Sequence, residues 1–280
     1  MTNRLTRAEF DALSTIAEES TLSISRELEQ KGYTKSGAIT SAGLAALEPY
    51  RAKRAVFIAA GFGSRLRPIT LNTPKPLVRV NGKRIIDGLI DAVLAAGIEE
   101  IIIVRGYLAE QFDQLLYKYP MIKFVDNLVY NEANNISSAM CVRHLLSDAY
   151  VFEADLLLKN PEIIRKYHYS SDFLGFSVKR SDDWCFTVEN GIITEEKIGG
   201  SDCYQMVGIS YWNETDGKKL SEHIRLAYEM PGGKDLYWEQ VPLKKFQNEY
   251  KVELLECRSS DVIEIDTFQE LKALDNTYDV

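Results

Sequence analysis

Apolar and polar positions follow one rhythm up to about residue 50 of this 280-residue chain and another from residue 54 onward. The first stretch reads as short helices. Thr6-Arg-Ala-Glu9 has the form of a capping box, in which the threonine hydroxyl and the glutamate each satisfy a free backbone N–H. Behind it Phe10, Leu13, Ile16 and Ala17 share one helical face. A second helix is expected over Ser23–Lys31, stopped by Gly32. Tyr33–Gly37 reads as a turn, with Ile39 and Thr40 leading into a helix over Ala42–Leu47. From Ala55 the pattern becomes a regular alternation. Apolar runs of strand length (Ala55–Ala60, Ile101–Val104, Ile122–Val125, Tyr150–Asp155) are separated by stretches of helical period. Ile86, Leu89, Ile90, Val93 and Leu94 form one such stretch, ended by Gly97. Leu108–Tyr117 and Ser137–Leu145 form two more. Strands and helices in this order predict an α/β fold with a doubly wound, mostly parallel sheet. The division predicts a small helical appendage over residues 1–53 and a larger domain over residues 54–280.

Beyond Asp155 the parallel signals thin and aromatics increase. Asn190-Gly191 marks a hairpin, preceded by Asp182-Asp-Trp-Cys-Phe186; Tyr204–Trp212 reads as a buried strand and Lys218–Tyr228 as a helix. Near the C-terminus Val262–Asp266 alternates apolar side chains with Glu264 and Asp266, which puts the two acids on one face. Thr267–Glu270 then repeats the capping-box form before a helix carrying Phe268, Leu271 and Leu274.

Bulk composition narrows the classes. Hydrophobic content of 45% and charged content of 26% are those of an ordinary globular chain. A formal net charge of −8 argues against coating nucleic acid or an anionic membrane. Four cysteines without CxxC spacing point to reduced thiols in a cytoplasmic protein, and no apolar run approaches spanning length.

Against that acidic background the cations after the first long apolar run stand out. The run breaks into Gly61-Phe-Gly-Ser-Arg65, and Lys75 follows between Pro74 and Pro76. Glycines let backbone N–H groups approach phosphate oxygens, and the two prolines restrict the lysine backbone, which is expected to be extended. Leu66 stands where a dinucleotide fingerprint needs its third glycine, and no GK[ST] follows, so neither of those phosphate loops is present. A buried strand, a glycine loop, two arginines (Arg65, Arg67) and a braced lysine describe a triphosphate site. In an open parallel sheet it lies beyond the carboxyl ends of the strands, where Arg105-Gly106-Tyr107 and Asp155 also gather.

The spaced pattern GxGSRLxPxTxxxPKPL resembles the signature of nucleotidyltransferases, which join a nucleoside triphosphate to a phosphorylated small molecule and release pyrophosphate. The blocks NEANNISSAM, EADLLL, MVGISYW, LYWEQVP and EIDTFQEL carry a narrower resemblance, to bacterial CTP:phosphocholine cytidylyltransferases used in choline decoration of cell-surface glycans. The resemblance covers about four-fifths of the chain and implies a nucleotide-diphospho-sugar transferase-like, Rossmann-like fold. It implies CTP and phosphocholine as substrates and CDP-choline and pyrophosphate as products. It places Arg65 and Lys75 on the reacting phosphates and Mg²⁺ on Asp155 and Asp266. It places the nucleotide against Ala59, Ala60, Gly61, Gly63, Ser64, Gly106, Tyr107, Asn135 and Ser138, with Asn134 beside them.

For the acceptor, Trp184 and Trp238 are each flanked by acids, and an aromatic face beside carboxylates suits a quaternary ammonium. The expected cage is Asp183, Trp184, Tyr237, Trp238, Glu239 and Glu264, whereas Trp212 reads as core. The attacking phosphate is already anionic at neutral pH, so the reaction needs no general base, in keeping with only three histidines and no nucleophile–base arrangement.

The segment LEQKGYTKSGAITSAGLAAL is similar to the last helix and wing of winged helix-turn-helix domains, although the usual middle of such a domain is missing. Residues 1–54 hold eight Lys or Arg against seven Asp or Glu, which offers no basic face to DNA, so nucleic acid is not an expected partner and a packing or dimerisation appendage is favoured. Homodimerisation stays open. Three alternatives stand beside the main reading: a sugar-1-phosphate nucleotidyltransferase, a phosphoethanolamine enzyme, and a catalytically idle ligand-sensing transcriptional regulator.

Overall fold

The computed structural model of the protein describes residues 4–19 and 25–279. The appendage begins with α1 (Arg7–Glu19) and α2 (Arg26–Gln30). Thr6 and Glu9 exchange the capping-box bonds: the Thr6 N–H donates to the Glu9 carboxylate at 2.8 Å, and the Glu9 N–H to the Thr6 hydroxyl at 3.3 Å. The expected start of the second helix, at Ser23, lies outside the described residues. Thr34–Lys35 (β1) and Ala38–Ile39 (β2) pair antiparallel before α3 (Ser41–Leu47), so the turn expected over Tyr33–Gly37 is part of a small two-stranded wing. Leu5, Phe10, Leu13, Ile16, Leu28, Leu47 and Tyr50 form a core of their own, closed by Tyr167 and Tyr169 of the larger domain. The appendage is thereby packed against its neighbour by an aromatic cluster, with the Tyr50 and Tyr169 rings stacked at 5.7 Å.

The larger domain opens with β3 (Arg54–Ile58), the short pair β4 (Arg79–Val80) and β5 (Lys83–Arg84), helix α4 (Ile85–Ala95) and β6 (Glu100–Arg105). Asn81 and Gly82, both with positive φ, make the tight turn between β4 and β5. Residues 109–117, expected as a helix, form successive 3₁₀ turns instead, entered through a left-handed Leu108. There follow β7 (Lys123–Asp126), α5 (Ile136–Val142), β8 (Ala149–Glu153), β9 (Leu156–Leu158), β10 (Asp172–Glu189) and β11 (Ile192–Trp212). Helix α6 (Glu214–Glu229), β12 (Glu253–Glu256), β13 (Val262–Glu264) and α7 (Phe268–Leu274) complete it.

A seven-stranded sheet runs in the order β10-β12-β11-β8-β3-β6-β7. β8, β3, β6 and β7 are mutually parallel, whereas β11 joins β8 antiparallel. The sheet is mixed for a topological reason: Asn190-Gly191 closes a hairpin, and a hairpin can only add antiparallel neighbours. Helix α4 packs on one face against Phe57, Ile101, Ile103 and Phe152, and α5 and α6 cover the other around Val56, Val104, Trp212 and Ile224. Strands β10 and β11, 18 and 21 residues long, exceed the usual strand length and break register repeatedly. One irregularity falls between Ser181 and Trp184. The stretch read as the approach to a hairpin is therefore the outer part of its first strand, bent by a bulge. Among the described residues no helix is long and apolar enough to cross a membrane, and the four cysteines are free.

Candidate active site

The carboxyl ends of β3 and β8 open onto a cavity of about 560 Å³. One wall is the glycine loop: Ala59, Gly61, Gly63, Ser64 and Arg65 all face it. Gly63 is required twice over. Its φ is +59°, and a Cβ there would stand 3.0 Å from the Lys75 Cβ and 3.1 Å from the Thr70 Cγ2. Thr70 also donates its hydroxyl to the Gly63 carbonyl at 2.8 Å. The lysine thus packs directly on the loop. Lys75 opens a 3₁₀ turn, held by the Leu77 N–H on the Pro74 carbonyl, in place of the extended backbone expected before Pro76.

The opposite wall is acidic. Lys75 Nζ lies 2.8 Å from Asp155 Oδ2 and 2.9 Å from Asp266 Oδ1, and Arg65 reaches the same Asp266 oxygen at 2.8 Å. Burial works against the Lys75 charge, but the two carboxylates outweigh it, and its pKa stands above the ordinary lysine value. The two aspartates meet through a pairing that strand counting does not show: β13 runs antiparallel to β9, with Glu264 opposite Leu156. Glu264 and Asp266 come to the cavity on the shared face that their alternation predicts. Burial, with Asp155 and Asp266 nearby, pushes the Glu264 carboxyl up to about 8.

Glu153, the last residue of β8, has no role on sequence grounds alone. Its carboxyl is held well above the usual range by burial and by Asp155. A signal exists in Glu153-Ala-Asp155, two acids two apart at a strand end, which share a face. Gly208 on β11 leaves room for it, since a Cβ there would collide with the Glu153 carboxyl group. Glu153, Asp155 and Glu264 each offer an oxygen within 4.8 Å of the others, and Asp155 Oδ1 is buried without a hydrogen-bond donor. Hard oxygen ligands with an unsatisfied buried acceptor fit a divalent cation. Asp266 stands across the Lys75 ammonium, outside that triad.

The far end of the cavity is built by the bulge in β10. The Ser181 hydroxyl accepts the Asp183 N–H at 3.0 Å, and the Asp183 carboxylate accepts the Trp184 N–H at 2.7 Å. These bonds satisfy the backbone where the ladder is interrupted and aim Asp183 and Trp184 inward. Trp184 meets Tyr237 edge to face at 5.6 Å, and Glu239 and Asn135 close the lining. Asn135 accepts the Trp238 N–H at 2.8 Å, which ties the start of α5 to this wall.

Several expected residues lie elsewhere. Trp238 is 2% exposed and packed on Trp212 and Phe173, so it belongs to the core and not to an aromatic cage. Its neighbours Tyr237 and Glu239 face the cavity because a single turn cannot point all three side chains the same way. Ser138 is buried against Asn127 at 3.0 Å and does not line the cavity. Gly106 makes room for the Tyr130 ring, since a Cβ on it would stand 2.7 Å from the Tyr130 Cγ. Ala60 and Tyr107 brace the loop from behind: the Tyr107 N–H donates to the Ala60 carbonyl at 3.1 Å and its hydroxyl to the Thr70 carbonyl at 2.8 Å. Trp212 is core, as expected.

A glycine loop and a buried lysine at the carboxyl ends of parallel strands, with an acidic pair on the lysine, define a nucleotidyltransferase, and residues 54–183 match the Nucleotidyl transferase family. The chain is 36% identical over 228 residues to the 2-aminoethylphosphonate cytidylyltransferase of Lancefieldella rimae, covering 80% of this chain and 92% of that one. It is also 36% identical over 227 residues to the choline-phosphate cytidylyltransferase of Streptococcus pneumoniae, covering 79% and 96%. The solved CTP:phosphocholine cytidylyltransferase of Streptococcus pneumoniae superposes with a TM-score of 0.74 at 32% identity, over 81% of this chain and 99% of the other. This chain is an enzyme that belongs to the bacterial cytidylyltransferases of the nucleotidyltransferase family.

Proposed function

We propose that the protein transfers the cytidylyl group of CTP to a small phosphate or phosphonate that carries a cationic nitrogen. The observation that carries this reading is the far end of the cavity. Trp184 and Tyr237 stand there beside Asp183 and Glu239, across from the glycine loop and Lys75, while Glu264, also expected in the cage, stands with Glu153 and Asp155 in the acidic triad. A cation recognised by ring faces and carboxylates fits that end; a hexose would ask for more polar groups and fewer ring faces. Phosphocholine, the acceptor expected from sequence, falls in this class, and so do phosphoethanolamine and 2-aminoethylphosphonate. The relatives named above act on two of these three, to judge from their names.

In the proposed reaction an anionic oxygen of the acceptor attacks the α-phosphorus of CTP. An oxygen–phosphorus bond forms there, the bond to the bridging oxygen of the β-phosphate breaks, and pyrophosphate leaves. The protein has to hold two anions together and offset their charge. Backbone N–H groups of the Gly61–Ser64 loop receive the triphosphate, and Arg65 and Lys75 meet the charge on the transferring and leaving groups. Mg²⁺, which the resemblance assigns to Asp155 and Asp266 and which the triad of Glu153, Asp155 and Glu264 also fits, supplies charge neutralisation of the triphosphate when bound.

The test is pyrophosphate release with CTP and Mg²⁺ and four acceptors: phosphocholine, phosphoethanolamine, 2-aminoethylphosphonate and glucose-1-phosphate. Turnover with amine-bearing acceptors and none with the sugar is expected. Turnover with the sugar alone overturns the reading. In the same assay Trp184→Ala is expected to raise KM for the acceptor at least tenfold and leave KM for CTP within about twofold.

A further inference from the structure

At and behind the cation end of the cavity lie two buried carboxyl groups with unpartnered oxygens. Glu239 is 2% exposed, lines the cavity and has an unpartnered Oε2; Glu196, on β11, is 5% exposed and has both oxygens unpartnered. Burial, with Glu196 nearby, pushes the Glu239 carboxyl up to about 8, and burial pushes Glu196 up to about 7. The charged or polar groups that face the two are few: Asn135 at the start of α5, Lys244 after Glu239, and Glu153 at the end of β8. Among the described residues neither carboxyl has a salt-bridge partner, and three buried acceptor oxygens find no donor within the protein.

We propose that Glu239 and Glu196 form a specificity pair that selects a primary ammonium on the acceptor over a trimethylated one. This rests on the function proposed above. A primary ammonium brings N–H donors to the unpartnered Glu239 oxygen at the cavity, whereas a trimethylammonium brings none and leaves that oxygen buried and unpaired. The aromatic complement points the same way. Trp238, which would have given a third ring to a quaternary cage, is turned into the core, and a carboxyl group, Glu239, stands beside Tyr237 in its place. The wall carries more acceptors than ring faces. Glu239 is the contact residue; Glu196, buried behind it, is a positioning residue that supplies negative charge to the pair.

The experiment uses the unmodified full chain with CTP, Mg²⁺ and a graded series: phosphoethanolamine and its N-methyl, N,N-dimethyl and N,N,N-trimethyl derivatives, the last being phosphocholine. We expect kcat/KM to fall along the series by about tenfold or more in total, mostly through KM. Equal or rising kcat/KM toward phosphocholine overturns the inference but leaves the proposed function standing. Release from glucose-1-phosphate and from none of the series overturns the function itself. Glu239→Gln and Glu196→Gln provide the second arm. Each is expected to raise KM for the primary amine at least fivefold more than it raises KM for phosphocholine. A uniform loss over the whole series means a structural role and refutes the assignment.

Discussion

Replacing Lys75 with methionine tests the electrostatics of the site most directly. The ammonium bridges Asp155 and Asp266 at 2.8 and 2.9 Å, with its side chain 10% exposed and the carboxylates 24% and 20% exposed. Removing one partner of a fully buried pair costs about 3–5 kcal/mol, because a desolvated charge is left behind. Here water reaches both carboxylates, and about 2–4 kcal/mol is the expected loss. At roughly 2–4 °C per kcal/mol for a chain of this size, the variant should melt about 4–16 °C lower in EDTA. Asp155, no longer neutralised, and Asp266, left with Arg65 alone, should then bind a divalent cation more strongly than they do in the parent. A site loaded at about 100 times its Kd regains about 2.7 kcal/mol, so millimolar Mg²⁺ should restore most of the melting temperature of the variant and barely move that of the parent. Scanning calorimetry of both proteins, with EDTA and with Mg²⁺, measures all four values. Equal melting in EDTA, or no Mg²⁺ response in the variant, would refute the view that Lys75 holds the charge of this pair. In the same preparation cytidylyl transfer should fall by orders of magnitude, since Mg²⁺ replaces the neutralisation but not the place at the phosphates proposed for the lysine.

Three further outcomes are expected. Gly208→Ala drives a methyl group into the Glu153 carboxyl, so a loss of about 1–3 kcal/mol and a larger loss of activity should appear together in denaturation and turnover assays. Glu196→Gln should stabilise the protein in a pH-dependent way. The folded carboxyl is raised to about 7 from an ordinary 4.5, so the folded state binds its proton more tightly; stability is highest below pH 4.5, falls as pH rises to about 7, and stays low above. The gain should approach about 3 kcal/mol at pH 8, less what solvent screening removes, and vanish near pH 4.5, which urea titrations at several pH values would show. Tyr50→Ala removes the ring stacked on Tyr169 and the hydroxyl that accepts the Leu5 N–H at 2.9 Å; a loss of about 3 kcal/mol in the docking of α1 should speed proteolysis within residues 4–19 without changing turnover.

Much of this protein could be read from residue order because the relevant physics is local. Continuous apolar runs specify buried strands, Asn81-Gly82 and Asn190-Gly191 specify tight turns, and Thr6–Glu9 and Thr267–Glu270 cap helices with their own side chains. The glycine loop and Lys75 are legible for the same reason, since a left-handed Gly63 and a lysine packed on it lie within a dozen residues. Glu264 and Asp266 could be placed on one face by alternation alone. What the order of residues could not show is which distant faces meet. The pairing of β13 with β9 brings Asp266 to Asp155, and only that pairing makes Lys75 a bridge between them. A bulge in β10 turns Asp183 and Trp184 into the cavity, while the packing of α5 and α6 on the sheet draws Trp238 away from it. Glu153 and Glu196 are ordinary acids in the sequence. Their raised proton affinity comes from burial by neighbours far along the chain, and burial is a property of the assembled fold.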